Sequence, residues 1–292
     1  GVFDEIWTQP AAGDAGGALG AALEAWHQFK NAEPKGEGEP AWPSAGGDSM
    51  RGSLLGPEFS ESEIRRALEA HGAVFEQLDE TAMLERAAGL LADGAMLGWF
   101  QGRMEFGPRS LGSRSILGDA RLASMQSAIN QKVKFRESFR PFAPAVLEER
   151  AGEYFDLTAE SPYMLLVADV AKSQRLARPA DESAGFARLK HARSTLPAVT
   201  HVDGSARVQT VGRERHPIFW RLLKQFEQRT GCGVLLNTSF NVRGEPVVCT
   251  PDDAYRCFVN TAIDWLAIGP FLLNRDRQPV EKPRPTFDPI PD

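Results

Sequence analysis

Cysteine is scarce in this chain, with only three among 292 residues. They are Cys232, Cys249 and Cys257, and their separations of 17 and 8 residues match neither a zinc motif nor a disulfide framework. Cys232 and Cys249 stand in apolar runs, which favours buried structural thiols over reactive ones. Such a chain suits a reducing compartment, and the cytoplasm is therefore the predicted location.

Long apolar runs, paired histidines and a Walker-type phosphate loop are also missing. No uninterrupted apolar run approaches the ~18 residues that a membrane-spanning helix needs, so no membrane partner is predicted. None of the five histidines follows another in an H-x-x-x-H or H-E-x-x-H pattern, so they predict no metal site. The sequence contains no G-x-x-x-x-G-K-[ST], which excludes a Walker P-loop.

The overall charge is acidic, with a formal net charge of −6 and a sequence pI near 5.5. A general nucleic-acid binder is usually basic overall, so nucleic acid is not the partner we expect. The apolar fraction of 42% and the charged fraction of 25% are ordinary for a globular protein. The length allows one large domain or two unequal ones.

One segment, residues 101–144, carries the opposite charge. It has eight basic residues and three acidic ones, so its local balance is 8 − 3 = +5. Glycine, proline and serine are interleaved with the charges, which suits a pocket for a small polyanion better than one exposed helix face. The basic residues are Arg103, Arg109, Arg114, Arg121, Lys132, Lys134, Arg136 and Arg140.

The first part of this segment offers the side chains that phosphate requires. Arg103, Arg109 and Arg114 could bind phosphate oxygens through their planar forks of donors, with Ser110 between them. For any single arginine, a solvated surface charge is the alternative interpretation. Apolar residues are threaded between the charges, however, which indicates that the segment is partly buried and that its cations need anions or carbonyls.

Apolar periodicity predicts helices and strands that alternate without a strict βαβ repeat. The predicted class is therefore α/β, with a mixed, twisted sheet and flanking helices. A buried strand near 95–100 is expected to end on a loop at 101–120, and a short strand at 234–236 on a polar loop at 237–246. Asp203-Gly204, between two apolar runs, predicts a β-hairpin made of 197–202 and 206–211.

The polar loop is a second candidate for ligand contact. It contains Asn237, Thr238, Ser239 and Asn241 within five positions. These side chains either cap a strand end or supply uncharged donors beside a nucleotide or carbonyl group. Arg207, on the second strand of the predicted hairpin, either faces the same pocket or lies on the sheet surface.

Three sequence blocks resemble a known family. They are GRMEFGPRSLGSRSIL at 102–117, NQKVKFRESFRPFAPAV at 130–146 and LLNTSFNVRGEPVV at 235–248. Together they resemble the carboxy-terminal domain of the O-carbamoyltransferases of nodulation and antibiotic tailoring, a family that includes the tobramycin and cephamycin enzymes. The resemblance covers about residues 53–275. The opening QPAAGDAGGALGAAL is similar to the last segment of that family's other domain, so the chain is expected to be a fragment.

The resemblance implies two domains and a fold for each. Residues 1–45 would be the terminal segment of an actin-like, Kae1-type domain with a linker, and residues 46–292 a YrdC-like domain. The YrdC-like domain would convert carbamoyl phosphate and ATP, with Mg²⁺, into carbamoyl adenylate and pyrophosphate. The Kae1-like domain of the full-length protein, with Fe²⁺, would transfer the carbamoyl group to a hydroxyl-bearing acceptor, either a small molecule or an oligosaccharide.

The resemblance also implies roles for particular residues. Arg109, Lys134 and Arg140 would hold carbamoyl phosphate and carry the catalysis. The residues expected to contact substrate or nucleotide are Arg103, Ser110, Arg114, Arg207, Asn237, Thr238, Ser239 and Asn241. Asp14 matches the family's metal-binding aspartate, which would act only together with the missing domain.

Two other functions remain open from the sequence. YrdC-like folds also occur in RNA-modifying systems, so the chain could be a nucleotide- or RNA-binding module without turnover. A weaker alternative is a structural half that docks and orients a partner domain.

Overall fold

A mixed β-sheet organises the fold. The computed structural model describes residues 9–32, 50–177 and 192–279. Within these ranges, nine strands lie in the order β1-β9-β8-β2-β3-β7-β4-β6-β5. They are β1 (Glu76–Gln77), β2 (Leu97–Phe100), β3 (Arg114–Asp119), β4 (Ala143–Leu147), β5 (Leu166–Asp169), β6 (Ser205–Val211), β7 (Val234–Ser239), β8 (Trp265–Ile268) and β9 (Phe271–Asn274).

Seven α-helices accompany the sheet in the described residues. They are α1 (Asp14–Ala32), α2 (Glu61–Ala70), α3 (Glu80–Ala92), α4 (Ala123–Lys132), α5 (Ala151–Tyr154), α6 (Pro217–Thr230) and α7 (Pro251–Val259). Helix α3 packs against α6, and α2 packs against α7. The α/β class and the mixed sheet that the sequence predicts are confirmed, since β2–β8 and β4–β6 pair in parallel and the other neighbours pair antiparallel.

Several helix ends follow directly from local sequence. Ser60 and Glu63 form a capping box at the start of α2, and Thr250 and Asp253 form another at the start of α7. Helix α6 begins with Pro217 and ends at Gly231, whose φ of +75° is readily adopted only by glycine. The side-chain acceptors and backbone angles that define these helix ends involve only three or four neighbouring residues. The sequence alone is therefore enough to locate the helix ends.

The centre of the sheet is buried on both faces. All residues of β2, β3 and β4 are buried, and the largest fully buried side chains include Trp99 and Phe100 of β2. Helices α3 and α6 bring Leu91, Phe219 and Phe226 into the same hydrophobic core. Burial of this extent is the main stabilising contribution to such a fold.

Two predicted loops are partly strands. The expected loop 101–120 contains β3, and the expected loop 237–246 begins inside β7, which continues to Ser239. Strand β3 was hidden because its sequence, RSILGD, places arginine, serine and aspartate in a fully buried strand. The loop between β2 and β3 is therefore residues 101–113, and it is called the basic loop below.

The predicted hairpin is wrong. Residues 206–211 belong to β6, but that strand pairs with β5 and β4 rather than with 197–202. The segment before the turn is coiled instead, because the Val199 N–H donates to the Leu196 carbonyl at 3.2 Å and the Thr200 hydroxyl donates to the same oxygen at 2.8 Å. The turn at Asp203 formed as expected, but the strand that follows it, β6, pairs with β4 and β5.

The predicted division into domains stays a prediction. The predicted boundary at 45/46 lies outside the described residues, and the YrdC-like and Kae1-like assignments stay predictions. Helix α1 is largely exposed, including Leu23, Trp26 and Phe29. Across the described ranges, no helix combines the length and the hydropathy needed to cross a bilayer.

Candidate functional site

The basic loop and the polar segment after β7 meet at one edge of the sheet. Strand β3 runs antiparallel to β7, so the start of β3 at Arg114 lies beside the end of β7 at Ser239. The loop that enters β3 and the segment that leaves β7 are therefore neighbours. The sequence placed candidate residues in both segments, and strand pairing brings them together.

A buried carboxylate shapes the basic loop. Oε1 of Glu105 accepts hydrogen bonds from the backbone N–H groups of Leu111 at 2.7 Å, Ser113 at 2.6 Å and Arg114 at 3.2 Å. Hydrogen bonds to an ionised acceptor are stronger than neutral ones, so this single side chain fixes the turn into β3.

Gly112 lets the same loop approach helix α6. Its φ is +111°, and a Cβ at this position would collide with the ring of Phe219. Both the backbone angle and the close approach require glycine here. Leu111 then packs with Ala143 and Met164 in a small cluster of its own.

Two side-chain amides join the loop to the sheet through three hydrogen bonds. Asn237 Nδ2 donates to the Ser110 carbonyl at 3.1 Å and to Gln209 Oε1 at 2.7 Å. Gln209 Nε2 in turn donates to the Leu111 carbonyl at 2.6 Å. Asn237 is 1% exposed and Gln209 2% exposed, so the whole network is buried.

The network leaves polar atoms without partners. Asn237 Oδ1, Ser110 Oγ and Arg207 Nε are buried and have no hydrogen-bond partner among the described residues. Buried polar groups are normally paired, because leaving one unpaired costs about 1–3 kcal/mol. One acceptor on β7, one hydroxyl on the basic loop and one donor on β6 therefore remain available for a ligand or for water.

Two arginines stand near each other beside this network. The pKa of Arg207 is lowered by burial first and then by the positive charge of Arg109. Arg109 itself is exposed. Among the described residues, neither guanidinium forms a salt bridge with a carboxylate. Two like charges without an anionic partner favour an anion between or beside them.

Lys134 reaches the end of β7 from the segment after α4. Its Nζ donates to the Ser239 carbonyl at 2.5 Å, Ser239 Oγ at 3.1 Å, the Asn241 carbonyl at 3.0 Å and Asn241 Oδ1 at 2.7 Å. All four acceptors are neutral. The side chain is 5% exposed, and burial lowers the pKa of Lys134 to about 7. Within residues 9–32, 50–177 and 192–279, no carboxylate compensates the charge of this buried lysine.

The Asn237 network and the Lys134 cluster share one strand. Asn237 and Ser239 are alternate residues of β7, so their side chains leave the same face, with Cα atoms about 7 Å apart. Thr238, between them, faces the opposite side of the sheet and is half-buried. Asn241 lies just beyond the strand, where its Nδ2 donates to the Glu245 carbonyl at 2.7 Å.

Arg140 and Arg136 form the outer part of the Lys134 region. Arg140 is exposed and lies 4.0 Å from a Glu137 carboxylate oxygen. Arg136 donates through Nε to Asn130 Oδ1 at 2.6 Å, and its pKa is lowered by burial first and then by Arg140. Like Arg109, Arg140 is exposed and near another cation.

Arg114 and Arg103 are placed differently. Arg114 is 0% exposed, lies over the Phe100 ring, and donates to the carbonyls of Gln101, Gly102, Ser113 and Pro57. Arg103 is exposed and donates to the Gly56 carbonyl at 2.9 Å. Their predicted contact with substrate stays a prediction, and most donors of Arg114 are already occupied by the protein.

The predicted metal ligand lies at the start of helix α1. Asp14 is exposed in the first turn of that helix. In the described parts of the chain, no group of three or more His, Cys, Asp or Glu side chains could hold a metal ion. The role of Asp14 therefore stays a prediction.

Sequence reasoning missed Gln209 and Glu105. Gln209 is one polar residue in an otherwise ordinary strand, and its significance depends on β6 and β7 lying two strands apart with facing side chains. The sequence contains a weak signal for Glu105, since it is one of only three acidic residues in the basic segment. A lone carboxylate among cations is a candidate for organising a loop.

The fold and site define an α/β protein with a cation-lined polar site at one edge of its sheet. Residues 88–275 match the family described as carbamoyltransferase C-terminus. An uncharacterized protein of Synechocystis is 53% identical over 96% of this chain and 45% of its own length. Nodulation protein NolO of Bradyrhizobium diazoefficiens is 41% identical over 94% of this chain and 45% of its own length.

Another relative is named as an enzyme. The 3'-hydroxymethylcephem-O-carbamoyltransferase of Streptomyces clavuligerus is 34% identical over 92% of this chain and 44% of its own length. The chain belongs to the carbamoyltransferase family, as its sequence blocks predict. It spans less than half the length of these three relatives.

Proposed function

We propose that this chain is the adenylate-forming part of an O-carbamoyltransferase. Carbamoyl phosphate would first lose phosphate to water and leave carbamate. A carbamate oxygen would then attack the α-phosphorus of ATP, whose bond to the bridging oxygen breaks to release pyrophosphate. The product, carbamoyl adenylate, would be transferred to an acceptor hydroxyl.

The observation that carries the proposal is the set of unpartnered polar atoms beside uncompensated cations. A carbamoyl group has a carbonyl oxygen and an N–H₂ donor, and a phosphate is an anion. Asn237 Oδ1 can accept from the amine, Arg207 Nε can donate to an oxygen, and Lys134 supplies a buried positive charge. The site therefore has complementary groups for each part of carbamoyl phosphate.

A second polyanion fits the wider distribution of charge. Carbamate and ATP repel each other, so their reaction needs cations that hold both groups in place. Arg109 and Arg140 are exposed near the two clusters and are suited to bind phosphate oxygens through paired N–H donors. ATP would enter as its Mg²⁺ complex, and magnesium would neutralise part of the phosphate charge.

Transfer to the acceptor would take place in the longer protein. The name of the Streptomyces relative specifies a 3'-hydroxymethylcephem acceptor for that enzyme. For this chain we propose only a hydroxyl-bearing acceptor, either a small molecule or an oligosaccharide. The described residues do not form an iron site, so we derive no step through iron.

Pyrophosphate release tests the proposal. The chain is incubated with carbamoyl phosphate, ATP and Mg²⁺, and pyrophosphate is measured with a coupled enzyme assay. We expect release that requires all three components. Omission of carbamoyl phosphate is the control for ATP hydrolysis.

Two outcomes would contradict the proposal. One is a folded chain that releases no pyrophosphate, with folding checked by circular dichroism. The other is pyrophosphate release at the same rate with and without carbamoyl phosphate.

A further inference from the structure

We infer that Gln209 is a positioning residue that makes the site select a carbamoyl group over other acyl groups. It would do so by holding the amide of Asn237 in one orientation, with Oδ1 toward the ligand. This inference rests on the proposed function, because it assigns the ligand of the same site. Gln209 itself is not proposed to touch the ligand.

The orientation of both amides is determined by backbone carbonyls. Gln209 Nε2 donates to the Leu111 carbonyl at 2.6 Å, and a carbonyl can only accept. Gln209 Oε1 therefore faces Asn237 and accepts from Asn237 Nδ2 at 2.7 Å. The Ser110 carbonyl accepts from the same Nδ2 at 3.1 Å, so two acceptors oppose any rotation of the Asn237 amide.

The fixed orientation leaves one atom for recognition. Asn237 Oδ1 is buried, has no hydrogen-bond partner in the part of the chain that the structure describes, and can only accept a hydrogen bond. If the Asn237 amide turned over, its oxygen would face the Ser110 carbonyl and Gln209 Oε1, and its N–H₂ would face the ligand. Gln209, together with the Ser110 carbonyl, thus keeps an acceptor rather than a donor toward the ligand.

With Asn237 Oδ1 facing the ligand, the site can distinguish carbamoyl phosphate from acetyl phosphate. The two molecules have similar shapes, but the first carries an N–H₂ where the second carries a methyl group. A methyl group cannot donate to Asn237 Oδ1 and would leave a buried acceptor unpaired. Sites built to bond an N–H or O–H reject analogues that lack it much more strongly than sites that only match shape.

A purely structural role for Gln209 makes a different prediction. Gln209 also ties the basic loop to β6, so its loss could weaken the site for every ligand. In that case the affinities for carbamoyl phosphate and acetyl phosphate would fall together. A positioning role changes their ratio, because only the carbamoyl amine uses the oriented oxygen.

The test compares dissociation constants for the two acyl phosphates by titration calorimetry. The proteins are the wild-type chain, Gln209→Leu, Gln209→Glu and the matched control Gln278→Leu. Gln278 is also buried and bonds backbone groups, with its Nε2 donating to the Val74 and Asn274 carbonyls at 2.8 Å. It lies outside the site described above.

We expect the wild type to prefer carbamoyl phosphate, and Gln209→Leu to reduce this preference by about tenfold or more. Gln278→Leu should keep the preference. Gln209→Glu should keep more of the preference than Gln209→Leu, because a carboxyl oxygen at this position still accepts from Asn237 Nδ2 even where it cannot donate to the Leu111 carbonyl.

The outcomes separate the inference from the proposed function. A preference that survives in Gln209→Leu overturns the inference alone, as does a wild type that binds both acyl phosphates equally. A wild-type chain that releases no pyrophosphate overturns the proposed function, and the inference falls with it.

Discussion

Lys134 and Arg114 are both buried basic residues bonded to neutral oxygens, but they differ in how readily they lose their protons. Arg114 stacks on Phe100 and donates to four carbonyls, and burial lowers its pKa only to about 10. Burial lowers the pKa of Lys134 to about 7. Near neutral pH, Arg114 is a permanent cation, whereas Lys134 is balanced between its charged and neutral forms.

The difference shows how the chain uses its basic segment. Arg114 joins the basic loop to the segment around Pro57 and has the contacts of a structural residue. Lys134 lies beside Ser239 and Asn241, on the strand that carries the unpartnered Asn237 Oδ1. A bound phosphate would raise the pKa of Lys134 and restore its full charge. The two residues should therefore respond differently to substitution.

The largest effect is expected for activity when Lys134 is removed. Lys134→Ala should lower the rate of pyrophosphate release by about 1,000-fold, because it removes the buried cation that faces developing negative charge. The matched control is Lys132→Ala, an exposed lysine at the end of α4, which should keep the wild-type rate. A near-normal rate in Lys134→Ala would show that the cation does not participate.

Substitution of Arg114 should affect stability more than ligand affinity. Arg114→Met should lower the free energy of unfolding by about 3 kcal/mol, since it leaves buried carbonyls without a donor. Urea unfolding measures the change. Arg103→Met, at an exposed arginine of the same loop, should cost only about 0.5 kcal/mol. Loss of carbamoyl phosphate binding by folded Arg114→Met would instead favour direct contact with substrate.

The lowered pKa of Lys134 should make stability depend on pH. The folded pKa of about 7 lies below the ordinary lysine pKa of 10.5, so between these values the unfolded chain binds more protons. Stability contributed by this residue therefore rises with pH across that window, by at most about 1.4 kcal/mol per pH unit. In Lys134→Met this rise should be absent. Parallel pH profiles of wild type and variant would refute the lowered pKa.

The smallest effect is expected at an exposed cation of the site. Arg140→Ala should weaken carbamoyl phosphate binding by about fivefold at low ionic strength, and the difference should shrink as salt screens the charge. The matched control is Arg256→Ala, another exposed arginine with an acidic partner three residues before it. An equal loss in both variants would indicate a general effect of net charge.

The sequence located the functional segments, but it was less informative about the role of each residue within them. It located the basic segment, the polar residues around Ser239 and the helix ends at Ser60, Thr250 and Gly231, because composition and capping act locally. It did not indicate that Arg114 is fully buried while Arg109 and Arg140 are exposed. Burial depends on segments far along the chain, such as Pro57 beside Arg114.

The missed elements have similar causes. Strand β3 was hidden because the buried polar side chain at its start, Arg114, finds a partner far along the chain in the Pro57 carbonyl. The false hairpin arose because the turn at Asp203 formed while the preceding residues coiled. Strand pairing is a choice among distant partners, and local patterns do not encode that choice.

By itself, the sequence determined the α/β class, the family, the helix ends at Ser60, Thr250 and Gly231, and the concentration of positive charge in residues 101–144. Tertiary structure alone decided that Gln209 faces Asn237 and that Lys134 is buried while Arg140 is exposed. The physical reason is the sequence distance over which each kind of interaction acts. Capping, turn geometry and composition act within a few residues, whereas desolvation and hydrogen-bond pairing depend on which distant strands the fold places side by side.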